Sequence, residues 1–127
     1  MSTAGRARSR LAPLALIAAG GFLGAVLRHA LALSLPGRLP WGTLAANVGG
    51  AFLLGLLLYE AHLADRLGPE TRLLVGTGFC SSLTTYSTFA VETSRLTVEF
   101  AAANVLLNYA LGFAAIGLSR AVARWLS

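Results

Sequence analysis

Four apolar runs, each close to the length that crosses a bilayer, set the pattern of this chain. The first extends from Leu11 to Leu35, the second from Trp41 to Tyr59, the third over about 71–93 and the fourth over about 100–118. A helix rises about 1.5 Å per residue, so about 20 apolar residues cross the roughly 30 Å of hydrocarbon. The second run, WGTLAANVGGAFLLGLLLY, carries no charge and has an aromatic residue at each end, where amphipathic rings favour the headgroup level. Its one strongly polar interior residue is Asn47. The third run breaks the pattern, because seven of the eight side chains from Ser81 to Thr88 carry a hydroxyl. One or two such residues in a membrane helix bond back to the i−4 carbonyl and bend it. This density, with Gly76 and Gly78 just ahead, predicts a break. Irregular backbone at membrane depth is stable only when buried in protein or lining a cavity, where its freed carbonyls are ligands for a small hard cation such as Na⁺. The predicted architecture is an all-α membrane protein of one domain, residues 11–127, with four transmembrane helices, the third broken near its centre, after a basic tail over 1–10.

Composition agrees with that pattern: 56% of residues are hydrophobic and only 12% are charged, against about 25% charged in an ordinary globular protein. All ten basic residues are arginines, giving a net charge of +5, and most sit at segment ends. That placement points to membrane topology and lipid headgroup contact, and excludes nucleic-acid binding. Four spans put both termini and the loop around Arg66 and Arg72 on one side. Seven arginines then lie there against Arg38 and Arg95 opposite, which predicts both termini in the cytoplasm. A cleaved signal peptide is the competing account of the basic start, but the apolar run is long and lacks a small-residue cleavage site. Cys80, the single cysteine, is expected to be a buried thiol, with no metal or disulfide partner.

Four helices cannot enclose a wide pore, so a narrow path and an oligomer are expected. Intramembrane polar residues then carry the information. Arg28 in the first span either forms an electropositive vestibule for an anion or snorkels to the headgroups. His29 points about 100° away and has no second ligand at helical spacing, so it is a packed or interfacial histidine, as is His62. Asn47 can donate to an anion through its amide or bond across to another helix. Asn104 and Asn108 share one face of the fourth span, which must line a path or a helix interface. Tyr86 and Phe89 share a face after the hydroxyl run, and a ring edge there attracts anions. Gly20, Gly24 and Gly55 supply the small-xxx-small spacing of closely packed helices.

Taken in order, GGFLGAVLRHAL, GTLAANVGGAFLLGLL, GFCSSLTTYSTFAVE and NVLLNYALG give the chain a resemblance to the CrcB/Fluc family of small fluoride channels, along nearly its whole length. The resemblance implies an antiparallel, dual-topology dimer with two narrow fluoride paths. It also implies a central structural Na⁺ held by carbonyls of the two broken third helices, and passive efflux of toxic fluoride. It places the pore asparagine on Asn47, the Na⁺-coordinating backbone positions on Ser81 and Thr84, the pore ring pair on Tyr86 and Phe89, and the first-span arginine on Arg28. Asn108 falls where the family's fourth helix offers a small hydroxyl. Ser81-Ser82 stands where the family has a glycine pair, and Tyr86 where it has a phenylalanine. A Cβ at Ser81 disfavours a left-handed backbone that glycine accepts.

Dual insertion needs balanced flanking charge, whereas seven arginines against two favour one orientation. The partner is therefore either a second copy or an oppositely oriented paralogue that complements the altered positions. A small multidrug-type proton antiporter is the rival of similar length, but it needs a central membrane carboxylate. Glu60, Asp65, Glu70, Glu92 and Glu99 all lie near segment ends. A non-conducting partner subunit is a further alternative. Enzymatic activity is not expected, since Ser81 and Ser82 have no His or Lys at hand as base.

Overall fold

The computed structural model describes residues 2–63 and 65–127, and all regular structure among them is helical. Helix α1 is Thr3–Ser34 and α2 is Trp41–Leu63. A continuous helical run over 69–83, here α3, joins Pro69–Thr71, Arg72–Cys80 and Ser81–Leu83. Helix α4 is Ser87–Ser94 and α5 is Val98–Leu126. Three of these, α1, α2 over Trp41–His62, and α5, are long and apolar enough to cross a membrane. They make this a multi-pass membrane protein. The remaining apolar run, expected over 71–93, is divided between α3 and α4.

Residues 1–10, expected as a tail, are helical from Thr3 onward. Ser2 caps the start, its hydroxyl oxygen accepting the Gly5 N–H at 3.1 Å. With 32 residues, α1 is about 48 Å long, more than the hydrocarbon requires, so it can carry Arg6, Arg8 and Arg10 beyond the apolar layer.

The central stretch of α3, Arg72–Cys80, is π-helical, a winding that sequence periodicity did not disclose. Such i→i+5 turns are rare and need support from outside the helix. Here α1 supplies it. A Cβ on Gly20 would collide with the Leu74 carbonyl, one on Gly24 with the Phe79 carbonyl, and one on Gly78 would lie 2.7 Å from the Ile17 carbonyl. Small residues on both helices thus bring the two backbones into contact, which explains the small-xxx-small spacing.

Helix α2 is the most enclosed of the three long helices, packing mainly on α5, where Gly55 lies against the fully buried Ser119. Large apolar side chains point outward, including Phe22 at 69% and Phe113 at 70% exposure, as suits a chain whose solvent is hydrocarbon. At the α2–α3 connection, Glu60 Oε1 accepts the N–H groups of Arg66 (2.5 Å) and Leu67 (3.2 Å), while Arg72 pairs with Asp65 at 2.6 Å. These bonds fix where α3 enters.

Candidate functional site

Helix α3 ends because side chains take the N–H groups that its next turn would use. Thr84 is extended, with φ −75° and ψ 151°. The Thr85 N–H, which a continuing helix would give to the Ser81 carbonyl, is donated to Asn47 Oδ1 at 2.7 Å. Asn47 Nδ2 in turn donates to the Thr85 carbonyl at 3.1 Å. The Thr88 N–H, which would serve the Thr84 carbonyl, is donated to Thr85 Oγ1 at 3.1 Å and so starts α4. Ser81 and Thr84 therefore lose the partners that a continuing helix would provide for their carbonyls. Ser81 has ordinary right-handed angles, φ −67° and ψ −27°, so its Cβ is unstrained.

A cleft of about 480 Å³ opens at this junction, and Asn47, Ser81, Thr84, Tyr86, Phe89 and Asn108 all line it. Arg28, on α1, is not in its lining. The hydroxyl protons of Ser81 and Thr84 go back to their own helix: Ser81 to the Thr77 and Gly78 carbonyls, Thr84 to the Cys80 carbonyl at 3.0 Å. The Tyr86 and Phe89 rings lie 5.9 Å apart at 48°; Phe89 is buried, whereas Tyr86 is 73% exposed. Among the described residues no charged side chain lines the cleft, so a small ion there would meet only dipoles and ring edges.

Behind the cleft runs a chain of amides. Asn47 Nδ2 donates to Asn108 Oδ1 at 3.4 Å. Asn108 Nδ2 donates to the Asn104 carbonyl at 2.8 Å and to Asn104 Oδ1 at 3.1 Å. Asn104, only 1% exposed, donates to Thr93 Oγ1 at 2.9 Å, and Thr93 donates to the Phe89 carbonyl at 2.6 Å. The two asparagines expected on one face of the fourth span thus divide the roles, Asn108 at the cleft and Asn104 at the helix interface. Thr85 was not singled out by the sequence, although it lies inside the hydroxyl run and answers Asn47 with both backbone groups. Tyr109 also lines the cleft, and only its position one residue after Asn108 signals it. Cys80 is a buried free thiol, as expected.

An uncharged, hydrogen-bonding cleft open on one side of a bundle of long apolar helices defines a multi-pass membrane protein with a polar site on its apolar body. Residues 15–120 match the family described as CrcB-like protein, Camphor Resistance (CrcB). The chain is 55% identical over 114 residues to the fluoride-specific ion channel FluC 1 of Natronomonas pharaonis, covering 90% of this chain and 96% of that one. It is 51% identical over 110 residues to FluC 2 of Halobacterium salinarum, covering 86% and 84%. With FluC of Methanocaldococcus jannaschii it shares 46% over 97 residues, covering 75% and 77%. The chain belongs to the CrcB family.

Proposed function

We propose that this protein is a fluoride channel that lets F⁻ leave the cytoplasm passively and so lowers its toxicity. It is a passive channel and not an enzyme. One observation carries the reading within the chain: six of the seven residues that the family resemblance assigns to the site meet in one uncharged cleft. Fluoride is strongly hydrated, so a path must replace its water with donors while staying narrow. The donors are the Asn47 amide, once fluoride displaces Asn108 from it, and the hydroxyls of Tyr86 and Tyr109, while the ring edges of Phe89 and Tyr86 continue the path. Arg28 lies outside the cleft and serves as an electropositive vestibule that concentrates the anion before it enters.

The gap over 84–86 between α3 and α4 supports reading these two helices as one broken third span, within a single four-span domain over residues 11–127. The diverted carbonyls of Ser81 and Thr84 fit a structural Na⁺, which takes oxygen ligands and would hold the break open; the unstrained backbone at Ser81 supports this despite the serine. A polar cleft at membrane depth cannot face lipid. A second, antiparallel chain is therefore needed to cover it, and Tyr86, largely exposed in the single chain, lies where that partner docks. The seven-to-two arginine bias places both termini in the cytoplasm, beside lipid headgroups, and makes an oppositely oriented paralogue the fitting partner. Relatives bearing the numbers 1 and 2 are consistent with such pairs.

No carboxylate lines the cleft among the described residues, which weighs against a proton antiporter. Fluoride-electrode efflux from liposomes tests the reading, on this chain alone and with a neighbouring paralogue. Flux only from the pair supports the heteromer, flux from the single chain replaces it with a self-dimer, and no flux from either removes the channel function.

A further inference from the structure

The amide chain behind the cleft has a direction that the backbone dictates. Asn47 must turn its oxygen toward the Thr85 N–H and its nitrogen toward the Thr85 carbonyl, because a main-chain N–H only donates and a carbonyl only accepts. Asn108 must turn its nitrogen toward the Asn104 carbonyl for the same reason. Its oxygen therefore faces Asn47. Both Asn47 Nδ2 protons are then committed, one to Thr85 and the other to Asn108 Oδ1, and both Asn108 Nδ2 protons are committed to Asn104. In this arrangement the two cleft amides have no free proton for an anion. The longest of these bonds is Asn47 Nδ2 to Asn108 Oδ1, at 3.4 Å, while the others in the set run from 2.7 to 3.1 Å. It is the one an incoming acceptor displaces most readily.

We infer that Asn108 is an amide latch: its side-chain oxygen occupies the place of the anion against Asn47, and fluoride enters by displacing it. The inference rests on the channel reading and names what limits that path. Asn108 sets the fluoride concentration at which the path fills, because each binding event must first break its bond to Asn47. Once displaced, the Asn108 amide can reorient and offer a proton in place of its oxygen, since both groups sit on the same rotatable side chain. Asn104, wholly buried and anchored through Thr93 to α4, holds the latch in its resting orientation.

Fluoride efflux from liposomes carrying the assembled channel tests the latch through Asn108→Ser in this chain. The shortened side chain no longer competes for Asn47, and the fluoride concentration for half-maximal flux falls about three- to tenfold, the weight of one net hydrogen bond. An unchanged or raised half-saturating concentration in a folded variant overturns the latch while leaving the channel reading intact. A wild-type measurement guards against a variant that fails to fold. In a fluoride titration followed by ¹⁵N NMR of the side-chain amides, the resonances of Asn47 and Asn108 move together if fluoride displaces the latch. Movement of Asn47 alone overturns it. Absence of flux from the wild-type assembly defeats the channel reading, and the latch with it.

Discussion

Phe89 and Tyr86 look alike in the sequence and differ in the structure. Phe89 is 8% exposed, held in α4 with its carbonyl bonded to Thr93, so its ring has a fixed position at the cleft. Tyr86 precedes α4 and is mostly exposed. An electrostatic role for a ring edge needs a fixed ring, which makes Phe89 the sharper test. Phe89→Ile keeps an apolar side chain but removes the positive edge, and fluoride flux is expected to fall at least about tenfold. The measurement is efflux per reconstituted channel; flux equal to wild type would take Phe89 out of the path. Among polar residues, Asn47 was legible as a candidate because it is alone in an uncharged span. Its partner was not, since nothing local pairs it with Thr85, 38 residues away.

Elements follow the same division. The apolar runs place the apolar cores of α1, α2 and α5, because hydropathy over a span's length depends little on neighbours, but they miss the extensions of α1 back to Thr3 and of α5 on to Leu126. The π-winding of Arg72–Cys80 escapes that logic. An i→i+5 turn shifts the apolar face only gradually, and what secures it is backbone contact with α1. The contact tolerates no side chain. Gly24→Val would drive a branched Cβ into the Phe79 carbonyl and cost several kcal/mol, about 3 or more, as overpacking against backbone does. Its outcome is loss of the monodisperse peak in detergent chromatography. Gly117→Ala on α5 has no atom within 4 Å of the added Cβ, and its chromatographic profile should match wild type. Equal behaviour of the two variants would show that α1 and α3 are not in backbone contact.

For the whole molecule, the proposed orientation rests on charge and the proposed assembly on the open cleft. With seven arginines in the two terminal segments and the α2–α3 connection against Arg38 and Arg95, the proposed topology predicts that a green fluorescent protein fused at the C-terminus fluoresces and an alkaline phosphatase fused there is inactive. Comparable signal from both fusions would mean dual insertion and remove the case for an oppositely oriented paralogue. Residue types alone were enough to specify the solvent of this protein, its helical class, the bias of its charges and the short set of polar side chains that had to be accounted for. Those properties add up along the chain, residue by residue. Where α3 stops, which of Asn104 and Asn108 reaches the cleft, and that Arg28 is not in its lining were settled only by the tertiary structure. A buried N–H must find an acceptor wherever one lies in space, and here the Thr85 N–H found Asn47 on another helix rather than Ser81 on its own.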